Sequence, residues 1–329
     1  LSMLIYGFIL MMILLIYVFF GYFTIENMDL PYVLTGVLGL YLLTCAYAAI
    51  GLFMSSITSY QVVAAMGTLA ILAVLNFIGD VGQSISFVRD ITYWLSISGR
   101  TYPFLSGMIC SEDILYFIIV ISLFIILSIM RLQSARKRKS KVVTFARYFA
   151  VIGGALFIGY LTSLPISKFY YDATALKKNT LTPGSQEVVE KLEGGLTITT
   201  YVNILDENYG SALPDQLKND FARFEQYVRF KPEIKMKYVY YYAPSVQPSF
   251  PGRFEELQEK ERAEKICKIM DLDFDMFLSP EEIDQLVDLR AEGYRFVRVL
   301  ERENGQKTIL RLYNDMMKHP SETEITTAL

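Results

Sequence analysis

Residues 114–166 read ILYFIIVISLFIILSIMRLQSARKRKSKVVTFARYFAVIGGALFIGYLTSLPI. Two apolar runs, 114–130 and 145–166, flank a segment in which Arg131, Arg136, Lys137, Arg138, Lys139, Lys141 and Arg147 occur without one acidic residue. A spanning helix needs about 20 mostly apolar residues, because the hydrocarbon core is about 30 Å thick and each helical residue rises about 1.5 Å. Both runs meet that need or come close. Lys and Arg concentrate in loops that stay on the cytoplasmic side. The 131–147 segment therefore reads as a basic cytoplasmic loop, and its seven cations set the topology. A solvated globular face is the competing reading, but direct contact with two apolar runs favours the topological one.

Toward the N-terminus three more runs have the length and character of spans, at 3–23, 31–54 and 61–78. The first stops at Glu26-Asn27-Met28-Asp29, and the second and third are joined by Ser55-Ser56-Ile57-Thr58-Ser59. Counting sides from the basic loop puts the Ser55–Tyr60 turn inside, with Glu26 and Asp29, the stretch Asp80–Asp113 and everything from Lys168 onward outside. The Asp80–Asp113 stretch carries Ile85, Phe87, Val88, Ile91, Tyr93, Trp94, Leu95 and Tyr102. Such a loop is expected either as a short amphipathic helix or re-entrant element at headgroup depth, or as packing over the helix ends. Gly153, Gly154 and Gly159 offer the run at 145–166 a close-packing face. No charged side chain falls in the middle of the first four spans, which argues against an ion-coupled carrier built on buried titratable groups.

The whole chain, 329 residues and 53% hydrophobic, averages two unlike halves. Before Arg131 the only basic residues are Arg89 and Arg100, whereas from Lys168 onward charged residues recur every few positions, as on a solvated surface. A formal charge of −3 with one short basic run gives no reason to expect nucleic acid as a partner. One histidine, His319, and three cysteines without CxxC spacing, Cys45, Cys110 and Cys267, leave little for a zinc site or a His-based triad. Cys110 and Cys267 fall on the same counted side, and nothing local sets their distance. No GxxxxGK[ST] motif is present, so no cofactor is expected on this chain, and ATP would be used through a partner ATPase. The chain opens on Leu1 inside an apolar run and ends on Leu329, which reads as a fragment of a longer polypeptide.

Past Lys168 the pattern is that of an α/β domain, 168–329. Thr182-Pro183-Gly184-Ser185 opens a helix running to about Glu193, with Thr182 as N-cap and Pro183 in the first turn, and Gly194-Gly195 ends it. Strands are expected at 196–204 and 234–242, with a helix at 214–230 between them on the apolar spacing of Leu217, Phe221, Phe224 and Val228. Further helices are expected at 254–270 and 279–290. Strands at 294–302 and 307–313 are expected to pair antiparallel across Glu303-Asn304-Gly305-Gln306. The β-α-β unit implies a mostly parallel sheet. The fold class is thus multi-domain, a polytopic helical membrane domain followed by an extracytoplasmic α/β domain.

Candidate sites in that half are few. Asp271, Asp273, Asp275, Phe277, Ser279 and Glu282 occupy the alternating ligand positions of an EF-hand loop, but Met276 stands where the sharp turn needs glycine. The competing reading is a connection whose Ser279-Pro280-Glu281-Glu282 opens the next helix. Tyr238, Tyr240, Tyr241 and Tyr242 fit either a half-buried strand or an aromatic surface for carbohydrate or peptide. No nucleophile, base and orienting group converge by spacing, so no catalytic role is expected.

Two stretches resemble ABC-2 type permeases. Ala48-Ala49-Ile50-Gly51-Leu52-Phe53-Met54-Ser55-Ser56-Ile57-Thr58-Ser59-Tyr60-Gln61-Val62-Val63-Ala64 is similar to the helix-turn-helix joining the fourth and fifth spans of that family. Tyr102-Pro103-Phe104-Leu105-Ser106-Gly107-Met108-Ile109, followed by Glu112-Asp113-Ile114-Leu115-Tyr116-Phe117, is similar to the entry of its last span. After the basic loop, a single span and Leu176-Lys177-Lys178-Asn179-Thr180-Leu181-Thr182-Pro183-Gly184-Ser185 look like the start of the auxiliary component of gliding-motility type ABC transporters.

The resemblance implies that residues 1–130 are the C-terminal four of six permease helices, that 145–166 is a membrane anchor, and that 168–329 is periplasmic, in a multi-pass protein of the bacterial inner membrane. It further implies a separate ABC ATPase as partner, with Ser55, Ser56, Thr58 and Gln61 on the cytoplasmic turn, and homo- or hetero-dimerisation in the bilayer. The two further helices that begin the family permease are not in this sequence. The alternative is a non-transporting anchor for envelope proteins or a motility machine.

Overall fold

The computed structural model describes residues 2–82, 85–136, 140–164, 168–250, 254, 256–312 and 319–329. Helix α1 is Ser2–Thr24 and α2 is Leu30–Ile57. Asp29 caps α2 by accepting the Tyr32 N–H, and Pro31 sits in the first turn, where a missing N–H costs nothing. Helix α3, Gln61–Phe77, is the shortest apolar helix, and a single 3₁₀ turn at Ile78–Asp80 follows it. Helices α4, Ser86–Leu95, and α5, Ile97–Leu105, occupy the stretch between Asp80 and Asp113, α5 packing Ile97 and Phe104 into the bundle, and strand β1 is Met108–Cys110.

Helix α6 runs from Ser111 to Arg136 and α7 from Lys141 to Thr162. Both differ from the sequence-based spans. Glu112 and Asp113, read as loop, stand in the first turn of α6, where a carboxylate is favoured by the helix dipole. The span expected to reach Ile166 ends at Thr162 and begins four residues early, so Lys141 and Arg147 of the basic segment lie on it. Among the described residues four helices are long and apolar enough to cross a membrane, Ile5–Thr24, Leu30–Ile57, Ser111–Ser134 and Val142–Thr162, as a multi-pass membrane protein requires. Buried share separates them: 39% of the apolar window of α6 and 22% of that of α2 lie inside, against 6% for α1 and for α7. Helices α2 and α6 are therefore the centre of the bundle.

Small residues permit close approach where apolar lipid supplies little driving force for helix association. A Cβ on Gly39 of α2 would lie 2.4 Å from Phe104 Cβ, and one on Gly159 of α7 would lie 1.9 Å from the Trp94 ring. Gly153 and Gly154, expected to share that role, face open space. Ala46, Ile50, Ile97, Phe104, Tyr116 and Phe117 form the buried core of the bundle.

The chain divides into two compact units, Leu1–Thr180 and Leu181–Leu329. The boundary falls later than Lys168 because β2, Tyr170–Asp172, pairs antiparallel with β1, so residues 168–180 belong with the helices.

In the second unit α8 is Pro183–Glu190, β3 Leu196–Asn203, α9 Leu217–Phe230 and β4 Ile234–Tyr241. Then come α10, Glu259–Ile269, α11, Pro280–Leu286, β5, Val297–Arg302, β6, Lys307–Arg311, and α12, Glu322–Ala328. The sheet order is β4-β3-β5-β6. Strands β3 and β4 are parallel across α9, as a β-α-β unit demands, and β5 and β6 form the expected antiparallel hairpin, with Gly305 at φ +84°. The expectation of a mostly parallel sheet is corrected: β5 returns antiparallel beside β3, so the sheet is mixed. One face packs Leu196, Ile198, Leu300 and Leu310 with Val189, Phe224, Tyr227 and Ile325. The other packs Tyr241 and Val297 with Ile283 and Leu289.

Candidate functional site

The candidate site is a cluster of four charges at one end of the helical unit. Ile97, Arg100 and Phe104 recur at helical spacing and form the buried face of α5, whose N-terminus Ser96 caps by accepting the Gly99 N–H. That face carries Arg100 inward, where its guanidinium lies 2.8 Å from Glu112 Oε1 and 3.1 Å from Asp113 Oδ1. Lys168 Nζ reaches Glu112 Oε2 at 2.7 Å, and the Ser163 hydroxyl, at the end of α7, donates to Glu112 Oε1 at 2.9 Å. Tyr116 places its ring under Arg100, 5.8 Å from the guanidinium carbon, and donates its hydroxyl to the Leu95 carbonyl. Two cations meet two carboxylates, so the buried cluster is neutral, the condition under which buried charge is tolerated. It ties α5, α6, the end of α7 and the segment before β2 at one level.

A second carboxylate organises the turn beside it. Asp172 accepts from the Thr174 N–H and hydroxyl at 2.9 and 2.7 Å, from the Asn179 N–H at 2.8 Å and from the Thr180 hydroxyl at 3.1 Å. Burial alone pushes its carboxyl up, but these donors, led by Thr174, hold it below its ordinary value. Asn179 Nδ2 donates to the Ser106 carbonyl, the Ala173 N–H to the Gly107 carbonyl, and the Ala175 N–H to Asp29 Oδ2 at 2.7 Å. Gly107 takes φ +84°, and a Cβ there would meet Tyr32 at 2.5 Å, which no side chain permits.

The second unit has its own buried charge. Asp220, in the first turn of α9, binds Arg298 of β5 and accepts the Tyr238 hydroxyl at 2.8 Å, while Arg223 Nε lies 3.7 Å away. Tyr238, Thr200 and Arg298 are successive cross-strand partners and so form one row beneath α9. Phe224 and Phe296 lie 5.2 and 4.9 Å from the Arg298 guanidinium carbon. Burial and the Asp220 charge both push the Tyr238 phenol up, so it stays a donor.

The sequence-derived candidates fall elsewhere. Ser55, Ser56, Thr58 and Gln61 lie on the α2–α3 turn, where the Ser56 hydroxyl donates to the Phe53 carbonyl and Thr58 Oγ1 accepts the Tyr60 N–H. Arg131 and Arg147 are exposed on α6 and α7, Arg136 ends α6, Lys141 opens α7, and Lys137, Arg138 and Lys139 lie outside the described residues. Of the EF-hand-like residues, Asp273, Ser279 and Glu282 serve local capping. Ser279 and Glu282 form a capping box at the start of α11, and Asp273 accepts the Asp275 N–H. Among the described residues no three acidic, His or Cys side chains gather as metal ligands.

Tyr238, Tyr240 and Tyr241 lie in β4 and Tyr242 directly follows it, all half-buried or buried, with Tyr240 donating to the Ala212 carbonyl and Tyr241 to that of Arg295. Cys110 and Cys267 are each buried, in different units, and form no disulfide. Sequence reading missed the Arg100 cluster. The available signal was that Arg100 is one of two basic residues in the first 130, followed by an acidic pair directly before an apolar run, a pattern that marks paired charges at a membrane helix end.

Comparison with protein-family models, with curated proteins and with solved structures gives no match to this chain.

Proposed function

We propose that the chain is a membrane-spanning subunit of an ABC-type transport system in the bacterial inner membrane, permease helices joined to a periplasmic auxiliary domain and energised by a separate ATPase. What carries the reading is the segment 102–117. Its residues, which resemble the entry to the last span of ABC-2 type permeases, build one unit here: α5 folds back into the bundle on Ile97 and Phe104, and Arg100 closes it onto Glu112 and Asp113 at the head of α6. The α2–α3 turn supports the same reading, since Ser55, Ser59, Tyr60 and Gln61 are exposed and free to meet another chain. ATP binding and hydrolysis belong to that partner, because the sequence contains no phosphate-cradling loop. Dimerisation in the bilayer follows from the same family reading.

The test is ATPase turnover of a candidate partner, reconstituted in lipid with and without this protein. A rise in turnover that disappears when Ser55–Gln61 is replaced supports the transport subunit. Unchanged turnover, together with stable association with envelope proteins alone, replaces it with the scaffold reading.

A further inference from the structure

The stretch just after α7 departs from the character of a soluble domain. Phe169 is 75% exposed, Tyr171 58% and Leu176 79%, and on α5 Tyr102 is 70% and Leu105 55% exposed. Lone exposed apolar side chains are ordinary, but several at one level form a surface. Their level is set by the spans. Phe169 bonds Ser111, the first residue of α6, through both its N–H, to the hydroxyl, and its carbonyl, from the Ser111 N–H. Leu176 follows Ala175, whose N–H is held by Asp29, the cap of α2. Thus Phe169 lies where α6 begins, and Leu176 where α2 begins.

Strand alternation completes the surface. Tyr170 and Asp172 pair with Cys110 and Met108, both buried, so Phe169 and Tyr171 are turned to the opposite side. Lys177 sits 5.3 Å over the Tyr171 ring and gives its ammonium to the Asp172 carbonyl, so its stem covers apolar surface while the charge stays at the polar margin. An amphipathic ring with an apolar body and a polar tip is what the headgroup layer favours.

We infer that Phe169, Tyr171 and Leu176, with Tyr102 and Leu105, form an interfacial collar seated in the lipid headgroup layer, so that residues 168–180 are a membrane-interface element and the water-soluble domain begins at Leu181. Lipid is the occupant because exposed apolar side chains also mark the neighbouring span ends, Ile25 just after α1 and Tyr160 near the end of α7. A collar here also holds the Arg100 cluster at the depth where charge leaves the hydrocarbon. The inference rests on the helices spanning a bilayer and is independent of transport.

The test uses the full chain in phosphatidylcholine vesicles, with Trp94, the only native tryptophan, retained as a common background. Leu176→Trp and Phe169→Trp are compared with Lys307→Trp, on the exposed edge strand β6. In lipid brominated high on the acyl chain, the added emission of Leu176→Trp and Phe169→Trp is lost, more than in lipid brominated near the methyl end, and aqueous iodide has little effect. Lys307→Trp shows the reverse. Iodide quenching of both collar variants with no effect of bromine overturns the inference, as does shielding from both quenchers that is relieved by diluting the protein in lipid, the signature of a second copy. Two separate positions keep the result readable if one variant fails to fold.

Discussion

Arg100 Nη2 stands 2.8 Å from Glu112 Oε1, a contact that joins a helix outside the four long spans to the first turn of one of them. Both side chains are nearly inaccessible, 7% and 11% exposed. The pair is therefore worth little as attraction and much as compensation, since removing one partner strands the other. Arg100→Met leaves Glu112 with Lys168 alone and takes from Asp113 its ion-pair partner, and is expected to cost about 3–5 kcal/mol. Trp94 reports the loss, because its ring packs 5.4 Å from that of Tyr116, beside the cluster. An unfolding midpoint of the full chain in detergent equal to that of the native protein would show that the ions do not hold this end together.

The glycines separate close packing from mere smallness. Gly39→Ala drives a methyl into Phe104 at its Cβ, which cannot swing away as a side-chain tip does, and is expected to destabilise the helical unit by about 1–3 kcal/mol. Gly153→Ala meets nothing and gains helix propensity, so its midpoint stays level or rises. Equal effects at the two positions would refute the close contact between α2 and α5 as a stabilising feature.

Within the second unit, Asp220→Asn removes the charge that neutralises Arg298, which is 0% exposed, and about 3–5 kcal/mol is expected to go with it. Tyr238→Phe loses one hydrogen bond to a carboxylate, about 1.5–3 kcal/mol. Asp220→Leu combined with Arg298→Met is expected to be milder than Asp220→Asn alone, because no buried charge is left behind. Hydrogen exchange of the β3 amides ranks the three; a double variant worse than the single one contradicts the compensation argument.

Acid is expected to loosen the Asp172 turn. Its folded carboxyl titrates below the ordinary value of about 3.9, so the carboxylate's contribution is complete above that value and is lost as pH falls through the folded pKa. Exchange of the Ala173–Thr180 amides should rise beyond the intrinsic pH trend below about pH 4. Asp172→Asn should flatten that excess; an excess that survives the substitution belongs to another group.

Capping gives a smaller test. Ser279→Ala removes the acceptor for the Glu282 N–H and leaves a seven-residue helix without its box, at a cost of about 1 kcal/mol in the second unit. An unchanged urea midpoint would mean that α11 is held by Ile283 packing alone.

Much of the architecture is legible in the sequence because it is written in local periodicity. Five apolar runs of near-span length, the helix between β3 and β4, and the Asn304-Gly305 hairpin each follow from a few adjacent residues. The competing readings of 271–282 and of the tyrosine run resolve at that same level: Ser279 caps a helix, and the tyrosines belong to a strand. Strand order is beyond its reach. Whether β5 enters beside β3 parallel or antiparallel depends on the path of the chain between β4 and β5, which no local signal encodes.

By itself, then, the sequence determined roughly where the long apolar helices and the β-α-β helix lie and which stretches are apolar enough for lipid, since each rests on the solvation and backbone preferences of neighbouring residues. Tertiary structure alone decided that Arg100 meets Glu112 and Asp113, that Lys168 joins them from beyond α7, that Asp220 reaches Arg298 of β5, and that residues 168–180 side with the helices. Those choices pair charges and strands far apart along the chain, and a buried charge takes its partner from whatever the packing brings within about 3 Å, at any sequence separation.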